Sequence, residues 1–406
     1  MISMNGFRFL LVWALPGLIS IGCESQTHSV PPIPAPAKSM DTLPASASYS
    51  GLTFQKQERI VAGSGTKSVI FNQDRTRLYA MNLEAMSISE FDRSTRKLVR
   101  QFKFEPTKGT GWDYAAHRAI PSWQEKPVEA WLTQQDKLLW VSLHNAAGIV
   151  PIRLDSIEQN TGQGGKPKRL RVIGAKGDIT NISVPLIQTG STPKVITSTA
   201  DERTLLVSNW HGLSVSVLNL QALGSPYAKF SHNIKMPAIP RGMVSDPKRK
   251  KTFVAIMGGT SLAVIDERSW TLDTLLPIGG SPRHILQDSA GHLLISFNAQ
   301  ARLACIDPDS GKTLFSIRTA AQPRTIALSK NQSFVFVTGY SSDRLEVYRI
   351  HADRFERVAS LPCTGHPVGV DLFENNQLLE AWVCSYTTGD ISIFTFSKKS
   401  EVATKQ

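Results

Sequence analysis

The chain has 406 residues, of which 41% are hydrophobic and 19% charged, a balance that suits a globular body and excludes a largely disordered or collagen-like one. Forty-five Lys and Arg against thirty-three Asp and Glu leave a net charge of +12, which bears on solubility and anionic partners rather than on fold. Four cysteines exclude a disulfide-dense miniature scaffold, and no apolar run is long enough for a bilayer-spanning helix.

A single basic residue, Arg8, precedes the apolar run from Phe9 to Gly22. These fourteen residues suit the hydrophobic region of an export signal and are too short to span a membrane. Residues 1–22 are therefore expected to be a signal peptide. Ile21-Gly22-Cys23 resembles the end of a bacterial lipoprotein signal, with Ser20 where an aliphatic residue is usual. The resemblance implies acylation of Cys23 and membrane attachment by lipid alone, through the more than one chain that stable anchoring needs. The alternative is an ordinary secretory signal with an incidental cysteine. Residues 23–50 carry five prolines among small polar residues and are expected to be an extended, solvated tether. The expected address is the bacterial cell envelope, in the periplasm or at the cell surface.

From residue 51 to about 400 the chain repeats itself. Starts at Thr66, Pro127, Pro193, Pro240, Pro282, Pro323 and Pro367 are separated by 61, 66, 47, 42, 41 and 44 residues. The last four spacings are about the length of one propeller blade; the first two carry insertions. In each unit a short strand A follows the start. A polar turn then leads to a dense apolar strand B (TLLVS, TFVAI, HLLIS, FVFVT), and strand C follows (SVSVLNL, LAVIDE, LACID, LEVYRI, DISIFTF). A second turn and a more variable strand D complete the unit. Four short strands between turns read as an antiparallel blade, and no sustained 3.6-residue period supports a helical solenoid. The expected fold is all-β: a seven-bladed β-propeller of four-stranded blades. The last unit ends after DISIFTF at Phe396 with no strand D, and an orphan strand, residues 52–63, precedes the first unit. That strand is expected to complete the last blade and close the ring, removing two exposed edges.

The SPRH, QPRT and HPVG starts, the LLVSN, FVFVTGY and AWVCSY second strands and the VIDERS and CIDPDSGKT turns resemble the YVTN-repeat β-propellers of bacterial cell-surface and periplasmic proteins. The resemblance covers residues 51–397 and speaks to fold. Members of the wider group include pure binding scaffolds, and related propellers include lactonases and haem- or quinone-linked oxidoreductases, so fold alone does not choose a function.

In a propeller, the D-to-A and B-to-C connections emerge on one face. The residue after each start is Lys67, Val128, Lys194, Arg241, Arg283, Arg324 or Val368. Five of the seven are cations expected at one height around the channel mouth, where like charges persist only if solvated or matched by an anion. The alternative is that they splay outward to loop carboxylates. The next position adds Glu129 and His284 as titratable members; a lone strand histidine is more often hydrogen-bonded than catalytic. The B-to-C loops bring Asn82, His144, Asn145, Asn209, Trp210, His211, Asn298, Tyr340 and Tyr386 to the same face. These side chains either stack and bond a ligand or cap loop backbone and pack between blades. The insertion 104–126 concentrates Trp112, Asp113, Tyr114, His117, Arg118 and Trp123 and reads as a partial lid or as a cap on the rim. Two basic runs, Lys248 to Lys251 and Lys166, Lys168, Arg169 and Arg171, are expected on the opposite face, as a solvated surface or a phosphate contact. Cys305 is expected to be buried, and export permits a Cys363–Cys384 disulfide.

No zinc helix, Cys-x-x-Cys pair, haem attachment, nucleophile elbow or phosphate loop is present, and nucleic-acid binding has no motif behind it. No metal or cofactor is expected, and a monomer is. The primary expectation is an envelope-anchored binding or scaffold propeller. Its mouth face would recognise a polar or anionic ligand, or an envelope protein, through Lys67, Lys194, Arg241, Arg283 and Arg324, with Trp210, Tyr340, Tyr386 and the insertion giving shape. The alternative is a lactonase-like hydrolase or redox-linked propeller enzyme with Glu129, His144 and His284 as its polar groups.

Overall fold

A computed structural model describes residues 49–113, 115–159, 165–221 and 227–400. Residues 1–22, Cys23 and nearly all of the tether lie outside the described residues, as does Tyr114 of the insertion. Every regular element described is a β-strand. The A strands run Thr66–Phe71, Pro127–Thr133, Pro193–Ser198, Ile239–Asp246, Pro282–Gln287, Pro323–Leu328 and Pro367–Glu374. Each pairs antiparallel with its own B strand: Arg77–Asn82, Leu138–Leu143, Thr204–Asn209, Lys251–Met257, Leu293–Phe297, Phe334–Gly339 and Leu378–Ser385. The A strands touch one another in chain order, and Thr66–Phe71 also lies against Pro367–Glu374.

The B strands are buried almost end to end. A strand covered on both faces needs apolar residues at successive positions rather than alternate ones, which is why these segments are the densest apolar runs in the sequence. The core divides accordingly among neighbouring sheets. Phe253 and Ala255 of one sheet pack with Ile295 and Phe297 of the next. The same kind of cluster joins the last sheet to the first, where Phe71, Leu78 and Phe91 meet Trp382, Ile391 and Ile393.

The first strand, Tyr49–Val61, pairs antiparallel with Asp390–Ser400 in the order Tyr49–Val61, Asp390–Ser400, Leu378–Ser385, Pro367–Glu374. Its range begins three residues before, and ends two before, the bounds read from sequence. The pairing covers an edge that would otherwise expose unpaired backbone groups.

Both insertions are strand hairpins. Residues Lys108–Asp113 and Arg118–Trp123 pair with each other as a separate two-stranded sheet. Strands Gly165–Gly174 and Ile179–Gln188 join the outer strand of the first sheet, Leu98–Phe104, to strand C of the second, Gly148–Arg153, giving one nine-stranded sheet. Lys166, Arg169 and Arg171 of the basic run are exposed on this pairing, and Lys168 alone departs from the expected solvated surface. Alternate strand residues point inward, and Lys168 is buried with its Nζ 2.6 Å from Glu125 Oε1 and 2.7 Å from Gln124 Oε1. The second run is also partly matched: Arg249 bonds Asp246 and Asp309, and Lys251 bonds Asp273. Cys305, Cys363 and Cys384 are buried free thiols, so the sequence-permitted Cys363–Cys384 bridge is not formed.

Trp382 is fully buried between the last and first sheets, edge-on to Phe71 at 5.4 Å and donating its indole N–H to Glu380 at 3.0 Å. Trp382→Ala should lower unfolding free energy by about 3–5 kcal/mol, read as a shifted urea midpoint. An unshifted midpoint would show that this contact does not hold the body together.

Candidate functional site

Each A strand slips register within the three residues after its start. Pro127 faces Leu143 but Ala130 faces Val141, and the same shift recurs in all seven A strands. Such a bulge frees a backbone N–H and re-aims the side chains around it. Hydroxyls on strand B accept the freed groups. Glu129, Val195, His284 and Thr325 donate their N–H to Ser142, Ser208, Ser296 and Thr338 at 3.0–3.2 Å. Three of these hydroxyls donate onward to the next sheet's bulge: Ser142 to the Lys194 carbonyl at 2.8 Å, Ser296 to that of Arg324 at 2.7 Å and Thr338 to that of Val368 at 3.2 Å. In the last sheet Cys384 fills this place and takes the N–H of Gly369; burial pushes its thiol up to about 12, against the pull of that bond.

The bulges carry the five cations. Lys194, Arg241 and Arg283 are buried, and Lys67 and Arg324 are half-buried. Lys67, Lys194, Arg241 and Arg283 lie within electrostatic reach of one another and of the Glu129 carboxyl group, and Arg324 within reach of Lys67, Arg241 and Arg283. Burial, then the neighbouring cations, pulls Lys67 down to about 7 and Lys194 and Arg283 well below their ordinary values. Burial pushes Glu129 upward, against the pull of the surrounding cations, and holds His284 at about 4, so its ring is neutral at pH 7.

Aromatic rings from the B-to-C loops cover these charges. The residue after strand B bonds its N–H to the carbonyl just before the start: Trp210 to Thr192, Tyr340 to Gln322, Tyr386 to His366 and His144 to Lys126. That bond sets each loop side chain beside the bulge. Lys194 and Arg241 lie 4.8 and 5.4 Å from the Trp210 ring, Arg324 lies 3.5 Å from Tyr340, and Lys67 lies 4.4 Å from Tyr386. A cavity of about 410 Å³ runs along the A strands, lined by Glu129, Arg241, Arg283, His284 and Arg324 among others. Arg324 Nε and His284 Nδ1 in this lining have no hydrogen-bond partner among the described residues.

Two predicted amides serve structure. Asn209 is fully buried; its oxygen accepts the Gly190 N–H at 3.0 Å and its nitrogen bonds Ser214 and Ser216. Asn82 plays the same part in the first sheet. Asn145 tethers the insertion hairpin, donating to Ser122 Oγ and the Trp123 carbonyl. Its oxygen therefore faces His144 Nδ1 at 2.7 Å, which puts the His144 proton on Nδ1. The hairpin's Trp112 packs at 5.6 Å on His211, itself stacked on Trp210 at 5.7 Å. Among the described residues no three His, Cys, Asp or Glu side chains converge as a metal site.

The sequence matches no model of a known protein family and no curated protein. Solved structures do resemble it. Virginiamycin B lyase from Staphylococcus aureus superposes with a TM-score of 0.56 at 12% identity, over 84% of this chain and 99% of that one. The hydrazine synthase of Kuenenia stuttgartiensis gives 0.59 at 12%, over 81% and 95%. The β-propeller domain of Myceliophteria thermophila Cps50 (Swd1) gives 0.56 at 12%, over 83% and 99%. At such identity the likeness establishes the fold, a β-propeller, and no activity.

Lys67 supplies a pH test. Its folded pKa, about 7, lies below its ordinary value of 10.5, so the folded state binds fewer protons between those values and stability rises with pH across that window. Lys67→Met should therefore be more thermostable than wild type near pH 6, with the difference shrinking by about pH 9. A pH-independent difference would mean that Lys67 carries no such strain.

Proposed function

We propose that the chain is an exported, lipid-anchored propeller of seven blades, closed by its first strand, that binds an anionic ligand at the ringed cationic mouth. The closed order of contacts among the A strands and the Tyr49–Val61 pairing support the blade count and the closure. The YVTN-like starts and the Cys23 signal support the family and the address. One observation carries the function: Arg241, Arg283 and Arg324 line one cavity with Glu129, and Lys67 and Lys194 lie within electrostatic reach of them. Clustered like charges that outnumber the nearby counter-charge are retained only at a cost in stability, and a multivalent anion would lower that cost. Arg324 Nε and His284 Nδ1 offer the ligand unused polar atoms.

Thermal shift of the full chain with tripolyphosphate, at low and high salt, tests this. The wild type should gain stability, less at high salt. Arg324→Gln should weaken binding at least tenfold, about 1.4 kcal/mol, while Arg249→Gln, whose side chain pairs with Asp246 and Asp309, should bind as wild type. Equal loss in both variants would reduce the effect to general surface charge. For the address, Cys23→Ser should move the chain from the detergent-extracted membrane fraction to the aqueous one; retention in the membrane would rule out the lipid anchor.

A further inference from the structure

The buried and half-buried lysines among the described residues fall into two groups. Lys126, Lys168, Lys251 and Lys398 each meet a carboxylate, Glu84 at 2.7 Å, Glu125 at 2.6 Å, Asp273 at 2.9 Å and Glu374 at 2.9 Å. Lys67 and Lys194 meet none within 4 Å among the described residues. Their neighbours are Arg241, Arg283 and each other, with Glu129 as the nearby carboxyl, and each ammonium rests on a ring. Lys194 is 2% exposed, whereas Lys67 is half-buried and its neighbour Ser68 lines the cavity. An amine that is desolvated and crowded by cations is more easily left neutral, and a neutral lysine is a nucleophile.

We propose that Lys67 is a reactive amine that condenses reversibly with a small carbonyl compound bearing its own carboxylate, the 2-oxo acid class, held in the cationic mouth. The inference rests on the anion-binding reading of that mouth. Arg324 and Arg283 line the cavity within electrostatic reach of Lys67 and would hold the carboxylate beside it, since a guanidinium fork matches a carboxylate. In the condensation the Nζ lone pair attacks the carbonyl carbon, and the C=O π pair moves to oxygen and takes a proton. The carbinolamine then loses that oxygen as water while nitrogen gives up its remaining proton, so C=N replaces C=O with no oxidant or reductant. Glu129 faces the same amine, and burial favours its protonated form, so it is placed to supply and recover that proton. The ring of Tyr386, 4.4 Å from the Lys67 Nζ, would cover the imine on the loop side.

The test is reductive trapping. The full chain is incubated near pH 7 with glyoxylate and cyanoborohydride, whose hydride fixes the imine as a secondary amine, and labelling is read residue by residue by mass spectrometry. Lys67 should be labelled at least tenfold faster than exposed lysines such as Lys56 and Lys108, and tripolyphosphate should protect it. Lys67→Arg, which keeps the charge, should abolish the fast site. Acetaldehyde, which lacks the carboxylate, should lose the preference for Lys67. Labelling spread over surface lysines, with tripolyphosphate still bound, would overturn the reactive amine and leave the anion site standing. Failure of tripolyphosphate to bind or protect would overturn both.

Discussion

The backbone must give its N–H groups to something wherever a strand leaves its ladder, and this body makes its A strands leave the ladder seven times. The bulge that follows each start would orphan a buried donor, worth about 1–3 kcal/mol each time if left unmet. In five of the seven sheets a residue at one B-strand position accepts that donor: the hydroxyls of Ser142, Ser208, Ser296 and Thr338, and the Cys384 sulfur in the last sheet. Because Ser142, Ser296 and Thr338 also reach the next sheet's bulge, the same atoms that let one strand bend fix its neighbour's bend. The mouth is thus built by backbone geometry first. The cations occupy positions that the bulges have already aimed.

That order explains how the cluster is tolerated and what it costs. Removing an ion from water costs several kcal/mol after relaxation, while a ring beneath a cation returns about 0.5–2 kcal/mol. Trp210, Tyr340 and Tyr386 therefore soften the cost of Lys194, Arg241, Arg324 and Lys67 without cancelling it. Proteins break local rules of stability chiefly where function needs it. A cluster of like charges held in place by the scaffold's own hydrogen bonds is such a place, and on the proposed reading its deficit is the free energy a bound anion would recover.

Much of this was legible in the chain. The starts and dense B strands gave the repeat because a strand buried on both faces has to read as continuous apolar sequence. The five cations were legible as a ring because they share one slot. The rings of Trp210, Tyr340 and Tyr386 were legible as their neighbours because all three open a B-to-C loop. The hydroxyls were missed, although they stand in plain view as the S or T of VSL, VSN, ISF and VTG. A serine in an apolar strand signals nothing until the bulge it serves is known. Asn209 was misleading for the opposite reason: an amide at a strand end suits a ligand or a loop equally, and its burial decided for the loop. Lys168 looked like surface charge because the pairing of its strand with the first sheet's outer strand is a long-range contact that local pattern does not carry.

The mouth also straddles the place where the last sheet meets the first. Lys67 belongs to the first sheet and its ring, Tyr386, to the last. Around this pair, Tyr386 donates to Glu84 at 3.1 Å, Arg75 meets Asp371 at 2.8 Å, Arg96 pairs with Glu380, and Phe71 stands on Trp382. The strand Tyr49–Val61 lies on the far side of the last sheet, holding Asp390–Ser400 in register. Anything that loosens this seam separates Lys67 from Tyr386 before it disturbs Arg241 or Arg283, whose sheets are neighbours within the chain. Lys67 therefore sits where the last sheet meets the first, and its environment reports on that contact as directly as any measure of stability.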